Sequence, residues 1–188
     1  MTKYINGHGD SLGGCVLGKK ELLTKVKEIA MVNFGGILSP FNAWLVARGL
    51  VTLPLRMAQH SNVAMQVAKF LESNPAVRFI WYPGLESHPQ HERAVKLMGG
   101  QYSGMIAFDI NGTEEQHQKF LDALTLVTHA VSLGDVESLI VYYDEHSDKL
   151  PHYPEIFRKG FFRFSVGLES AEDLIADLTQ ALKACGLA

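Results

Sequence analysis

The chain has 188 residues, 47% of them apolar, with 17 Lys and Arg against 20 Asp and Glu. That is enough to bury one good core with an appended subdomain, and too apolar for a disordered chain. A formal charge of -3 gives no electrostatic reason to expect nucleic acid.

Residues 1–11 read as loop, and GGCVLG after them as a short buried strand. KKELLTKVKEIAMVNF has the spacing of a helix, which Gly35-Gly36 stops. Ser39-Pro40 opens another, since proline suits the first helical turn. The run AMVNFGGILSPFNAWLVARGLVTL is the most apolar in the chain. Gly35-Gly36, Ser39-Pro40, Asn42 and Arg48 interrupt it before the roughly 18 clean residues of a membrane span accumulate. It is expected to form buried helices, in a large core or at a subunit interface. From about Pro54 a long helix runs to Ser73-Asn74-Pro75, with Met57, Ala64, Val67, Ala68 and Leu71 at helical spacing.

Beyond Pro75 the texture changes. Val77, Phe79 and Trp81 alternate as in a strand. HPQHERAVKLM reads as a helix and GMIAFDI as a second strand. Thr113 with Gln116 forms a capping-box signature for the next helix. FFRFSVG is a third strand, and Ser170 with Asp173 opens a last helix that Gly186 ends. Strands and helices therefore alternate in the later part of the chain, whereas residues 1–55 hold two or three helices and at most one strand.

Few motifs carry chemistry by themselves. GHGDSLGG lacks the preceding strand that a nucleotide fingerprint requires. His88, His91 and Glu92 follow neither metalloprotease order and have no nearby third ligand. Cys15 and Cys185 lie far apart, without CxxC or His spacing or a basic neighbour. They read as free, unactivated thiols in a reducing compartment, and with no visible signal peptide the expected location is cytoplasmic. Arg163 is more informative. Alternation puts it with Phe161 and Ser165 on one strand face, where a guanidinium among aromatics needs an anion. A salt bridge to Glu169 or Asp173 and a bidentate fork for a carboxylate ligand satisfy that need equally. Lys3 is equally open: it is either a solvated terminal lysine or one desolvated enough to act as a nucleophile.

TKYINGHGDSLGG resembles the lysine motif of the pyridoxal-phosphate enzymes of Cys/Met metabolism. The resemblance continues in order through GGILSPFNAWLVARGLVTLPLRM, YPGLESHPQHERAVKLMGG, YSGMIAFDI, AVSLGDVESL and RFSVGLESAEDLIADL, nearly the whole chain. It implies pyridoxal 5'-phosphate as cofactor, with Lys3 as the lysine that carries it and moves protons at the substrate alpha carbon. It further implies that Thr2 contacts the cofactor phosphate, and that Ser132 and Arg163 hold the alpha-carboxylate of a small sulfur amino acid. The protein would orient the bond to be broken while the cofactor takes up the electrons.

The implied fold is α/β: the C-terminal part of a fold-type I transferase-like enzyme. Residues 1–56 would be a remnant of the large cofactor domain and residues 57–188 a small α/β sandwich domain. Within the family, the methionine gamma-lyase branch reads nearest. Cystathionine gamma-synthase and the cystathionine lyases are the alternatives, and a non-catalytic fragment or split-gene interaction module is a third. Members of the family are roughly twice this length. The phosphate loop, the ring-stacking tyrosine, the pyridine-nitrogen aspartate and an intersubunit arm are absent, so the chain alone is expected to be inactive. It is expected to work as a homo-oligomer or in complex with the missing N-terminal half, without nucleic acid or membrane. IVYYDEHSDKLPHYPEIFRK lacks the H-P-A-S-M-T-H-like run of gamma-acting members, which leaves beta against gamma elimination open. His146 and His152 there read as solvated loop residues.

Overall fold

The first 54 residues are organised by turns and two helices rather than by a core. In a computed structural model, which describes residues 1–187, they form one of two compact units; the other begins at Leu55. Helix α1 (Lys20–Val26) passes into wider π-type turns over Lys27–Asn33, and neither segment buries a residue. Ser39 caps α2 (Pro40–Val51) by accepting a hydrogen bond from Asn42 N at 3.1 Å, so the Ser-Pro start acts as expected.

Two expectations for this unit are corrected. GGCVLG is not a strand: residues 14–18 are exposed and irregular. A strand needs a partner for its backbone groups, and this unit has no described strand to pair with. The apolar 30–53 stretch, apart from Val46, is not buried in a core of this chain. Phe41 is 65% exposed, Trp44 56% and Val51 79%, because the unit has no second layer to cover them.

The second unit contains most of α3 (Leu53–Ser73), then β1 (Val77–Trp81), α4 (His91–Met98), β2 (Met105–Ile110), α5 (Glu114–Ala123), β3 (Thr128–His129), β4 (Leu139–Tyr143), β5 (Phe161–Ser165) and α6 (Ala171–Ala184). The capping box of α5 is complete, with Gln116 N donating to Thr113 Oγ1 at 3.3 Å and Thr113 N to Gln116 Oε1 at 3.1 Å. Ser170 caps α6 by accepting from Asp173 N.

The five strands form one mixed sheet in the order β1-β2-β5-β4-β3, antiparallel except for the β3–β4 pair. Strands β3 and β4 were not foreseen from sequence. β5 lies at the centre. Its Phe162 and Phe164, with Ile106, Phe108, Ile110 and Ile140, join Val63, Val67 and Leu71 of α3, Phe120 of α5, and Leu174, Leu178 and Leu182 of α6 in the main core. Truncating one of these fully buried phenylalanines to alanine is worth about 3–5 kcal/mol. The opposite face holds a smaller aromatic cluster, in which Phe157 packs edge-on to Phe79 (5.3 Å between centroids) and to Phe161 (4.9 Å), over Leu150.

The strand alternation foreseen for β1 breaks at a register shift between Val77 and Phe79. As a result Val77 packs on the main core while Phe79 and Trp81 join the aromatic cluster. The extra residue lets one short strand serve both faces.

Asp177 of α6 fastens the chain segment that leads into β3. Its carboxylate accepts from Thr125 N (2.9 Å), Thr125 Oγ1 (2.7 Å), Leu126 N (2.9 Å) and Val127 N (2.9 Å). Burial by itself would raise its pKa; the hydrogen bonds, led by that from Val127, outweigh it and hold the group below the usual carboxylate value. A depressed folded-state pKa stabilises the fold above the unfolded-state value and ceases to do so as pH falls through the folded-state value. Asp177→Ala is therefore expected to lose about 3 kcal/mol in urea unfolding at neutral pH, because three backbone N–H groups lose their acceptor. Asp177→Asn should lose less, and its deficit against wild type should shrink in acid as the native carboxylate protonates.

Candidate functional site

The candidate residues divide between the units, Thr2 and Lys3 in the first and Ser132 and Arg163 in the second. In the first unit, hydrogen bonds from Gly7 N to Lys3 O (2.8 Å) and from Thr2 N to Gly13 O (3.2 Å) wind residues 1–13 into a compact loop. The Thr2 hydroxyl accepts from Gly13 N at 3.0 Å and reaches Gly13 O at 3.3 Å. Helix α2 holds this loop from one side. Asn42 donates through Nδ2 to Leu12 O (3.2 Å), and a Cβ at Gly49 would stand 2.3 Å from Asn6 O. Only glycine permits that approach. Asn6 is buried and donates through Nδ2 to Asp10 Oδ1 at 2.8 Å. Lys3 is exposed on this framework, a primary amine carried by a backbone fixed at several points.

GHGDSLGG makes up part of the same loop and is neither preceded by a strand nor followed directly by a helix. His88 and His91 are occupied locally. His88 Nδ1 accepts from Gln90 N at 3.1 Å and His91 Nδ1 donates to Pro83 O at 3.0 Å. No grouping of three metal-ligating side chains occurs among the described residues. Cys15 is an exposed free thiol and Cys185 a buried one, its pKa raised by burial. His146 is an exposed loop residue. Among the described residues, no helix is long and apolar enough to cross a membrane.

In the second unit the structure brings Ser132 and Arg163 together. Arg163 lies on β5 between Ala107 of β2 and Val141 of β4. Its Nη2 donates to the backbone carbonyl of Ser132 at 2.8 Å, and its guanidinium carbon stands 5.8 Å from the centre of the Tyr143 ring. The Nε–H is buried and has no hydrogen-bond partner. Neither carboxylate offered by the sequence takes this charge. Glu169 accepts instead from Ser138 N (2.6 Å) and Ser138 Oγ (2.9 Å), and Asp173 sits in the capped first turn of α6. Ser132 has φ 99°, in the region that L side chains avoid. Such strain persists only where the surroundings hold it, and it concentrates at binding sites. The segment around Ser132 is a set of bends that no sequence signal marked as constrained, and the positive φ shows only in the fold.

A second charged cluster lies elsewhere in the same unit. Arg78 Nε pairs with buried Asp109 at 2.6 Å, and Arg78 Nη2 donates to Gly160 O at 3.1 Å. Burial raises the Asp109 pKa, and Arg78 pulls it back in part. The pairing is internal, which makes it a brace for the start of β5 rather than an open site.

Residues 1–183 match the profile of the Cys/Met metabolism PLP-dependent enzymes. The chain is 49% identical over 185 residues to canavanine gamma-lyase of Pseudomonas canavaninivorans, covering 97% of this chain and 46% of that one. It is 44% identical to L-methionine gamma-lyase of Treponema denticola, over 96% of this chain and 46% of that one. Among solved structures, cystathionine gamma synthase of Xanthomonas oryzae superposes with a TM-score of 0.84 at 36% identity, covering 98% of this chain and 48% of that one. The chain thus spans about half the length of these relatives, in their order and fold, and it belongs to the Cys/Met metabolism PLP-dependent enzyme family.

Proposed function

We propose that this chain supplies the lysine and the carboxylate anchor of a lyase acting on an alpha-amino acid that bears a leaving group on its side chain. The observation that carries the reading is the Arg163 guanidinium: one edge is tied to the Ser132 carbonyl and its Nε–H is buried without an acceptor. A buried donor left unmade costs about 1–3 kcal/mol. A substrate carboxylate would satisfy it and pair the charge, which is the arrangement in which arginine is most selective.

The residues of the first unit fit pyridoxal phosphate. An exposed amine on a fixed turn suits its aldehyde, and the Thr2 hydroxyl, held to Gly13 O only at a long 3.3 Å, can turn toward a phosphate oxygen. Bound there, the cofactor supplies an electron sink for charge left at the substrate alpha carbon. Lys3 then takes the proton from that carbon and returns it, and Ser132 and Arg163 fix the carboxylate so that the bond to be broken stays oriented. The relatives named for gamma-lyase activity support elimination at the gamma carbon, on a methionine-like or canavanine-like substrate. The family's cystathionine gamma-synthase and cystathionine gamma-lyase members keep replacement chemistry and cystathionine as the alternative. The chain spans about half the length of these relatives, so the activity belongs to the family fold as a whole, working in a cytoplasmic homo-oligomer or complex.

Treatment with pyridoxal phosphate, borohydride reduction and peptide mapping tests the lysine assignment. The label should concentrate on Lys3 and vanish from that peptide in Lys3→Ala. Labelling spread evenly over Lys19, Lys20, Lys25 and Lys27 would overturn it. Sedimentation tests the association. The apolar side chains exposed on α2 are expected to draw the purified chain into oligomers at micromolar concentration, and a monodisperse monomer there would count against it.

A further inference from the structure

The strain at Ser132 has to be held by something, and the hydrogen bonds around it show what holds it. Segment 131–138 runs back along β5 and its exit, and it is stitched to them at several points. Gly134 N donates to Ser165 Oγ at 2.9 Å. Leu168 N donates to Val136 O at 2.8 Å. Ser138 Oγ accepts from Gly167 N at 2.8 Å and donates to Glu169. The approach is so close that a Cβ on Gly167 would stand 2.3 Å from Val136 O.

Of these contacts, the one from Ser165 bears most directly on the anchor. Ser165 is 1% exposed and lies two residues beyond Arg163 on the same face of β5. Gly134 lies two residues beyond Ser132. The pairs Arg163–Ser132 and Ser165–Gly134 therefore form two adjacent rungs between the same two segments. The first rung ends on a long side chain, whereas the second ends on a short buried hydroxyl that has little freedom to move.

We propose that Ser165 is a positioning residue for the carboxylate anchor. Its hydroxyl, by accepting from Gly134 N, holds Ser132 at its strained φ and keeps the Ser132 carbonyl against Arg163. The guanidinium is thereby fixed with its Nε–H turned away from that carbonyl. Without the hydroxyl, Ser132 relaxes, the carbonyl turns away, and the guanidinium gains rotamers that a carboxylate must then remove. The proposal rests on the reading of Arg163 as the carboxylate anchor.

Nuclear magnetic resonance of the full chain separates the two ideas. The Arg163 Nε–H signal is assigned by its loss in Arg163→Lys. Positioning is read with no ligand present: in Ser165→Ala the hydrogen exchange of that signal should quicken about five-fold, the worth of one hydrogen bond, while the backbone amide spectrum of the sheet stays in place. Ser165→Thr, which keeps the hydroxyl, should restore slow exchange. Unchanged exchange in Ser165→Ala, or equally fast exchange in Ser165→Thr, would overturn the proposal. If Ser165→Ala does not fold, Ser165→Cys keeps the volume with a much weaker acceptor, and the same quickening is expected. The anchor itself is read by titrating wild type with glycine, an alpha-amino acid without a leaving group. A saturable shift of the Arg163 Nε–H is expected, weakened about five-fold in Ser165→Ala. A wild-type signal that glycine does not move would remove the anchor reading while leaving the exchange result to decide the role of Ser165.

Discussion

A charged side chain on the central strand of a sheet projects from one face, and what lies on that face decides how it is satisfied. β5 is that strand here, paired with β2 and β4 along its length. Its even-numbered residues, Phe162 and Phe164, are fully buried in the main core. They fix the strand so firmly that Arg163, between them, cannot shift register without turning two phenylalanines out of that core. The same packing that stabilises the unit thus decides which way the guanidinium points.

What satisfies Arg163 is a carbonyl and an aromatic face, not a carboxylate. A carbonyl accepts one N–H and leaves the charge unneutralised, whereas a buried ion pair would have consumed it. The difference leaves the Arg163 charge without a counter-ion of its own. Arg78 provides the internal contrast: it has its own buried carboxylate, Asp109, at 2.6 Å. The acidic residue nearest Arg163 along the chain, Glu169, is instead committed to Ser138. That commitment also fastens the segment that carries Ser132.

The parts of this arrangement legible in the sequence are the local ones. The caps at Thr113 and Ser170 need only residues three apart, and both form as read, while Ser39-Pro40 opens α2 as read. The alternation in FFRFSVG places Arg163 and Ser165 on one face because a strand has a period of two whatever surrounds it. The resemblance paired Arg163 with Ser132, but the bond between them was not legible, since it spans 31 residues and ends on a backbone carbonyl, which carries no sequence identity. β4 went unread because LIVYY is a continuous apolar run that periodicity cannot assign. The bulge in β1 and the positive φ of Ser132 arise from pairing and stitching, which no local pattern encodes. GGCVLG has a strand's composition, but composition cannot supply a neighbouring strand.

The two units also differ in what holds them. The second buries a continuous cluster contributed by four helices and the sheet, and within it the stitching of 131–138 and the carboxylate nest at Asp177 are refinements on a stable base. The first has no comparable cluster. Its loop is held by hydrogen bonds from Asn42, Gly13 and Gly7 and by the close approach of Gly49, while Leu17, Phe34 and Val51 stay about four-fifths or more exposed. Hydrogen bonds between partly exposed groups contribute only about 0.5–1.5 kcal/mol each, less than full burial of a single large apolar side chain. The turn that carries Lys3 is therefore ordered by local geometry but not anchored by burial.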